Sequence, residues 1–294
     1  RIAVDQAPLL HLHVAEDPGH QQGRGRWLLH TLAHHLAFDH SSLELLIHEA
    51  QLIEQGRQQE LPQPMPFRNF VAQARLGVSQ AEHEAFFREM LGDVVEPTAP
   101  FGLLDVRGDG RDVREARARL SPEQALAIRQ LCRRLGVSAA SLMHLAWALV
   151  IARTSGREDV VFGTLLFGRM QGGDHADRVM GVFINTLPLR LQVGGQGVQQ
   201  ALRATHALLA RLLKHEHAAL ALAQRCSGVD ASAPLFSALL NYRHSTVPGT
   251  AQQADPADST GSQERTNYPF VLSVDDLGEG FALTAQVSGP VEPQ

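Results

Sequence analysis

The order of apolar and polar positions in the first third of the chain predicts two strands followed by helices. Strand-like apolar runs at residues 8–14 and 27–33 predict two strands, and a polar turn at residues 16–20 joins them. Helical spacing of apolar residues follows over about 43–55 and again over about 79–91. Strands and helices therefore belong to the same part of the chain.

A stretch rich in proline, glycine and aspartate, residues 95–112, interrupts this pattern. Such composition without helical period is typical of a connection between compact units. We therefore predict a first lobe over residues 1–100, a linker over 101–112 and a second lobe over 113–294.

The second lobe is predicted to begin with a strand at 113–120. Ser121 then caps a helix that has Pro122 at its first position, Gly136 ends this helix, and Ser138 starts an apolar one. The residues expected on the buried face of the apolar helix are Leu142, Leu145, Ala146 and Leu149. The remaining predicted elements are strands at 159–165, 186–193, 235–243, 268–275 and 279–287, helices within 197–225, and a surface loop at 245–263. The fold class is therefore α/β.

Composition and charge narrow the classes of function. The chain has 294 residues, and 44% of them are hydrophobic, which is enough for a sizeable core. The formal net charge of −5 disfavours a nucleic-acid partner, because phosphate binding needs a concentrated basic surface. No apolar run reaches membrane-spanning length, so no membrane partner is expected. Cys132 and Cys226 are far apart in sequence and predict reduced thiols, which fits a cytoplasmic protein.

One motif is a candidate catalytic site: His34-His35-Leu36-Ala37-Phe38-Asp39-His40. An imidazole titrates near neutral pH and can exchange a proton with a reacting group, and a nearby carboxylate can fix its ring. The motif lies between a predicted strand and a helix that Ser41 or Ser42 can cap. Loops of this kind commonly present reactive side chains on a rigid scaffold.

Two other interpretations of the motif need weighing. The first interpretation is a chance pair with a structural role, because the chain has 15 histidines. A metal site is the other, but adjacent side chains on an extended segment point to opposite faces. His34 and His35 could not then share one ion, and we predict no metal site.

The motif resembles the HHxxxDG signature of condensation domains from nonribosomal peptide synthetases, which belong to the chloramphenicol-acetyltransferase-like superfamily. Three further segments resemble later parts of that family, in the family's order. They are Met180-Gly181-Val182-Phe183-Ile184-Asn185-Thr186-Leu187-Pro188-Leu189-Arg190, which follows a similar strand at 159–164 and Gly168-Arg169; Pro234-Leu235-Phe236-Ser237-Ala238-Leu239-Leu240-Asn241-Tyr242; and Tyr268-Pro269-Phe270. The resemblance covers essentially the whole chain.

The resemblance implies a two-lobed, V-shaped chloramphenicol-acetyltransferase-like fold with the motif at the junction of the lobes. It also implies that the chain is truncated at both ends, with an incomplete N-terminal lobe that lacks the family's first two motifs. His40 stands where the family has glycine. Substrate preference could differ for that reason.

The resemblance further implies acyl transfer, in which the amine of an acceptor aminoacyl thioester attacks a donor thioester and forms an amide. His35 would contact the attacking amine, either as a base or by positioning it. His34, Asp39 and His40 would support the motif, with Asp39 in a salt bridge whose arginine we expect in the missing N-terminal portion. Asn185 would line the substrate channel or support it, and Arg190 is carried over as a support position.

Substrates would arrive on the phosphopantetheine arms of an upstream donor carrier domain and a downstream acceptor carrier domain, beside an adenylation domain. No cofactor is expected to bind directly. Two alternatives stay open: a dual epimerization and condensation domain, and a noncatalytic scaffold that docks carrier domains. A glycerol-phosphate acyltransferase would use His34 and Asp39, but the sequence has no accompanying basic phosphate-binding motif.

Overall fold

The computed structural model describes residues 2–17, 26–106, 108, 112–169, 178–244, 266–289 and 291–293. The chain divides into two compact units, and each consists of two stretches. The first unit combines Arg1–Arg75 with Phe167–Ile184, and the second combines Leu76–Leu166 with Asn185–Gln294. These units differ from the lobes drawn from the sequence, since residues 76–100 fall in the second unit. The predicted lobe boundaries stay a prediction.

The first unit contains a two-stranded antiparallel sheet and two helices. Strands β1 (Leu10–Asp17) and β2 (Arg26–Ala33) pair in the register that sets Val14 opposite Leu29. This confirms the two predicted strands, although residues 18–20 of the predicted turn lie outside the described residues. Helices α1 (His40–Glu54) and α2 (Phe67–Leu76) follow, with a short 3-10 turn between them.

Two details of this unit correct the sequence prediction. Helix α1 begins at His40 rather than near Leu43, because Asp39, not Ser41 or Ser42, is its N-cap. Helix α2 was missed altogether. Its signal is short: Phe67 and Phe70 lie three positions apart directly after a proline-rich loop.

The second unit is built on one mixed six-stranded sheet. Its helices are α3 (Gln80–Leu91), α4 (Pro122–Leu135), α5 (Ala139–Ser155), α6 (Val198–Leu213) and α7 (Leu220–Arg225), and its strands are β3 (Val113–Arg119), β4 (Asp159–Leu166), β5 (Asn185–Gln192), β6 (Ala238–His244), β7 (Phe270–Asp276) and β8 (Phe281–Ser288). The strand order is β3-β8-β7-β6-β4-β5. Strand β6 runs parallel to β4 and β7, and the other pairs are antiparallel. The predicted α/β class is confirmed.

Local capping signals in the second unit act as the sequence predicts. The Ser121 side chain accepts the backbone N–H of Gln124, and the Gln124 side chain accepts the N–H of Ser121 in return. Gly136 ends α4 with a φ of 67°, which glycine adopts without a Cβ penalty. These interactions are short-range, so they can be recognised from neighbouring residues alone.

The predicted buried face of α5 is partly wrong. Leu149 is 44% exposed and Ala146 is also exposed. In contrast, Trp147, Ile151 and the polar His144 are buried. The cause is composition: α5 carries apolar residues around most of its circumference. A helix of this kind has no strong amphipathic period, so only its neighbours decide which face is covered.

The predicted loop at 245–263 lies outside the described residues. Within the part that the structure describes, no single helix has both the length and the apolar character to cross a membrane. Helices α4 and α5 meet that requirement only as a pair, with a bend of 108° between them.

Candidate functional site

The histidine motif occupies the connection between β2 and α1, as predicted. Strand β2 ends at Ala33, and the His34 N–H donates to the Leu9 carbonyl at 3.0 Å. The Ala37 N–H then donates to the His34 carbonyl at 2.9 Å and closes a turn. The loop is therefore held at its start by backbone hydrogen bonds.

The two histidines have different surroundings. His34 is half-buried, and its Nδ1 accepts the Leu36 N–H at 3.1 Å, so the neutral ring carries its proton on Nε2. His35 is exposed within the turn. The expectation that they lie on opposite sides of a strand is wrong, because the strand has already ended at Ala33.

Asp39 is buried, with 2% exposure, and holds the end of the loop. Its Oδ1 accepts the N–H of Ser42 at 3.0 Å, which caps the first turn of α1. Its Oδ2 accepts the N–H of Phe183 at 3.1 Å, and its own N–H donates to the Gly181 carbonyl at 3.2 Å. The carboxylate thus joins the motif to the segment just before β5.

The arginine that pairs with Asp39 lies within this chain. Arg169 Nη2 donates to Asp39 Oδ1 at 3.0 Å, and Arg169 Nη1 donates to the Val179 carbonyl at 2.9 Å. The expectation that the partner belongs to a missing N-terminal portion is therefore wrong. The two residues are 130 positions apart, and only the fold of the first unit brings them together.

An aromatic cluster surrounds this ion pair. The Phe183 ring lies beneath the Arg169 guanidinium, whose carbon is 3.9 Å from the ring centre, and packs against Phe70 at 4.2 Å. Gly181 faces the Phe67 ring so closely that a Cβ there would overlap it. Gly168 has a φ of 64°, and its Cα faces the Phe183 carbonyl. The sequence shows these residues, but local patterns do not reveal that they meet.

Ser42 is a further buried member of this site that sequence reasoning considered only as a possible cap. Its Oγ lies 2.9 Å from Asp39 Oδ1 and accepts the Gly181 N–H, also at 2.9 Å. Arg169 Nη2 donates to the same oxygen at 3.2 Å. The signal that could have found it is a small polar residue three positions after the N-cap aspartate.

Asn185 lies in the second unit, at the start of β5. Its Nδ2 donates to two backbone carbonyls, Glu216 at 2.8 Å and Ala218 at 2.7 Å. Both amide hydrogens are therefore used to hold the turn between α6 and α7. The sequence allowed two roles for Asn185, lining the substrate channel or supporting it. These contacts fit the support role.

Arg190 also lies in the second unit and pairs with carboxylates. Its Nε and Nη2 donate to the two oxygens of Asp159 at 2.9 and 2.6 Å, and its Nη2 donates to Asp93 Oδ2 at 2.9 Å. Its Nη1 donates to the Met90 carbonyl at 3.0 Å. Arg190 thus ties β5 to β4 and to the end of α3, and the hydrogen bonds to both carboxylates raise its pKa.

Among the described residues, no three or more His, Cys, Asp or Glu side chains converge in a way that could hold an ion. His40 is the first residue of α1.

Comparison with known proteins identifies the family. A family model of the condensation domain matches residues 2–288. The chain belongs to the condensation-domain family. Malpinin synthetase of Mortierella alpina is 53% identical to this condensation domain over 295 residues, which cover 99% of the chain and 4% of that protein. Malpibaldin synthetase of the same organism is 51% identical over 291 residues, covering 99% of the chain and 5% of that protein.

The condensation domain therefore spans about 4–5% of the length of these curated relatives. Two solved structures share its fold. A four-domain nonribosomal peptide synthetase bound to AMP and glycine matches with a TM-score of 0.74 at 15% identity, over 96% of this chain and 23% of that one. The first condensation domain of the CDA synthetase matches with a TM-score of 0.68 at 20% identity, over 91% and 60%. The predicted chloramphenicol-acetyltransferase-like fold is confirmed.

Condensation domains of nonribosomal peptide synthetases are peptide-bond-forming transferases. They work with phosphopantetheine-bearing carrier domains and with adenylation domains in multidomain synthetases. The motif loop held by Asp39 and Arg169 belongs to a domain of this family.

Proposed function

We propose that this condensation domain forms an amide bond between two carrier-bound substrates and that His35 is its catalytic residue. The observation that carries the proposal is the exposure of His35 on a turn fixed at both ends. His34 bonds to Leu9 at one end, and Asp39 pairs with Arg169 at the other. An exposed imidazole on an anchored loop can meet a substrate without reorganising, which lowers the entropic cost of reaction.

The reaction balances without a redox partner or metal. The acceptor amine attacks the donor thioester carbonyl, a C–N bond forms, and a tetrahedral intermediate results. The C–S bond then breaks, the donor phosphopantetheine leaves as a thiolate, and the proton lost by the amine neutralises that thiolate. The acceptor carrier ends with the whole donor chain, extended by the acceptor residue.

His35 can serve this reaction in two ways. Its free ring nitrogen can take the amine proton and later pass it on, as a general base does. Alternatively, it can orient the amine and stabilise the charged intermediate. A free α-amine has a reference pKa of about 8, so about a tenth of it is already neutral at pH 7, and orientation of that neutral amine alone can be effective.

The proposal includes the partners of the parent synthetase. An upstream carrier domain would bring the donor, a downstream carrier domain would bring the acceptor, and an adenylation domain would load the acceptor residue. Both substrates would be held by phosphopantetheine arms, with no cofactor bound to this domain. These are the partners of a cytoplasmic synthetase.

The test is a condensation assay on the synthetase that carries this domain, with both carriers loaded, followed by intact mass spectrometry. Wild type should transfer the donor to the acceptor, and His35→Ala should abolish product while the fold is kept. His48→Ala, on the exposed side of α1, is the matched control and should leave the rate unchanged. Full activity of a folded His35→Ala protein would sink the catalytic assignment.

Further arms of the assay separate the alternatives. Offering L- and D-configured donors in turn shows whether an L donor gives D-configured product, which would establish a dual epimerization and condensation domain. Carrier binding without product in wild type would favour the docking scaffold. The pH dependence of the condensation rate, measured for wild type and His35→Gln, separates the two roles of His35. If His35 is a general base, the ionisation that controls the wild-type rate should be missing from the profile of His35→Gln.

A further inference from the structure

The Ser42 hydroxyl is buried, with the residue 2% exposed, and it has more neighbours than its single proton can serve. Two acceptors lie 2.9 Å from Oγ: Asp39 Oδ1 and the Gly181 carbonyl. Two donors point at the same oxygen, the Gly181 N–H at 2.9 Å and Arg169 Nη2 at 3.2 Å. A hydroxyl offers one donor and two acceptor positions, so all of its capacity is used.

The choice between the two acceptors leaves neither of them unsatisfied. Asp39 Oδ1 also receives the Ser42 N–H and Arg169 Nη2, each at 3.0 Å. The Gly181 carbonyl also receives the Asp39 N–H at 3.2 Å. Whichever acceptor the hydroxyl proton selects, the other acceptor keeps a donor, and a buried arrangement in which these groups are satisfied is rigid.

Ser42 contacts both polar groups of one residue, since it bonds to the N–H and to the carbonyl of Gly181. The backbone at Gly181 is therefore fixed against the first turn of α1 from both sides. An alanine Cβ at position 181 would overlap the Phe67 ring, so the close approach of the Gly181 backbone to Phe67 depends on glycine. The motif loop enters the same helical turn through Asp39, four residues after His35.

We propose that Ser42 is a positioning residue for the reaction, acting on His35 through Asp39 and Gly181. The proposal rests on the proposed function in one respect, that His35 acts in amide formation. Ser42 touches no substrate. Its hydroxyl holds the carboxyl end of the motif loop to the 179–183 segment, and the direction of the exposed His35 ring depends on that attachment.

The experiment compares Ser42→Ala, Ser42→Thr and Ser41→Ala in the synthetase that carries this domain, with loaded carriers. Ser41 is the matched control because it precedes Ser42 on the same helical turn and is only half-buried. We measure kcat and KM for the acceptor carrier, together with the melting temperature of each protein. Condensation is followed by mass spectrometry at a temperature where every variant is folded.

Ser42→Ala should lower kcat by roughly 10- to 100-fold, the size expected when a reacting group is displaced by up to about 1 Å, with KM nearly unchanged. Ser42→Thr keeps the hydroxyl and should recover most of kcat, and Ser41→Ala should match wild type. If Ser42→Ala does not fold, Ser42→Cys replaces it. The thiol fills similar space but bonds weakly, so the same fall in kcat is expected.

A lower melting temperature with unchanged kcat would overturn the proposal, because it would make Ser42 purely structural. Equal losses in Ser42→Ala and Ser41→Ala would also overturn it. Failure of the proposed function has a different signature, a folded and fully active His35→Ala protein. Inactive His35→Ala combined with fully active Ser42→Ala would reject the positioning role alone.

Discussion

Arg169 and Asp39 form a nearly buried ion pair across 130 positions of sequence, with Nη2 3.0 Å from Oδ1. The Asp39 side chain is 2% exposed and that of Arg169 is 13% exposed. The pair has support on both sides, since Ser42 bonds to both partners and Phe183 lies beneath the guanidinium. The segment before β5 and the motif loop are thereby parts of one unit.

Removing one partner of this pair should be more costly than removing both. Asp39→Asn removes the carboxylate charge that faces the nearly buried Arg169 guanidinium, and we expect a loss of about 3–5 kcal/mol of stability. Arg169→Gln should cost a similar amount, but the double variant should lose much less than the sum. Urea denaturation of the chain, followed by far-UV circular dichroism, measures all three.

An exposed ion pair provides the control for that series. Arg57 and Glu60 are each about half exposed, at 48% and 47%. Glu60→Gln should leave the urea midpoint where it is, because solvent screens the pair. Strict additivity of the Asp39 and Arg169 substitutions would contradict a direct coupling between them.

Asn185→Ala should loosen the turn between α6 and α7. The substitution removes both hydrogen bonds to the Glu216 and Ala218 carbonyls, and losing buried partners costs about 1–3 kcal/mol. Hydrogen exchange should become faster at the amides of these two residues. Asn267→Ala, which removes an exposed bond to the Val106 carbonyl, should leave exchange at that turn unchanged. Unaltered exchange in Asn185→Ala would refute the support role.

Arg190→Lys should weaken the attachment of α3 to the sheet. Lysine has a single ammonium and cannot form the forked contacts that Arg190 makes with Asp159 and Asp93. We expect the melting temperature to fall by a few degrees. Arg211→Lys is the control, since its bond to Glu89 joins two exposed side chains. Equal melting temperatures for Arg190→Lys and wild type would show that a point charge suffices.

The buried His144 should make the free energy of unfolding depend on pH below neutral pH. It is 4% exposed, its Nδ1–H donates to the Ala140 carbonyl at 2.7 Å, and its Nε2 accepts the Thr164 hydroxyl at 2.8 Å. Burial lowers the pKa of His144 to about 4. The unfolded chain, with a histidine pKa of about 6.5, therefore takes up the proton first, and stability is lost as pH falls from about 6.5 to about 4.

The loss from His144 amounts to roughly 3 kcal/mol and should be absent above neutral pH. Urea midpoints of wild type and His144→Gln between pH 4 and 8 test this, and the variant should show the shallower decline. Burial also lowers the pKa of His83, His215 and His217, so some decline should remain. His48→Gln is the control, and identical slopes for wild type and His144→Gln would contradict the assignment.

The local elements of this domain could be predicted because the forces that set them act over a few residues. Ser121, Pro122 and Gly136 place the ends of α4 through capping and backbone preference, and the structure has them there. The motif loop between β2 and α1 was also found, and family motifs in a fixed order led to the correct fold class. Each of these signals is contained in a short stretch of sequence.

Two incorrect predictions concern features that local sequence patterns do not determine. The capping residue of α1 is Asp39 rather than a serine, because Asp, Ser and Thr all suit that position and backbone geometry selects among them. The exposure of Leu149 on α5 depends on which neighbours cover an almost uniformly apolar helix. Hydrophobic periodicity predicts neither the capping residue of α1 nor the exposed face of α5.

The sequence alone determined the family of this chain, the order of its strands and helices apart from α2, and the loop that carries His34 and His35. Only the tertiary structure decided that Arg169 is the partner of Asp39, that Ser42 and Gly181 bond to each other, and that Asn185 holds a turn. The physical reason is distance along the chain. Capping and periodicity act between near neighbours, whereas an ion pair or buried hydrogen bond between remote residues exists only once the packing of the whole unit has brought them into contact.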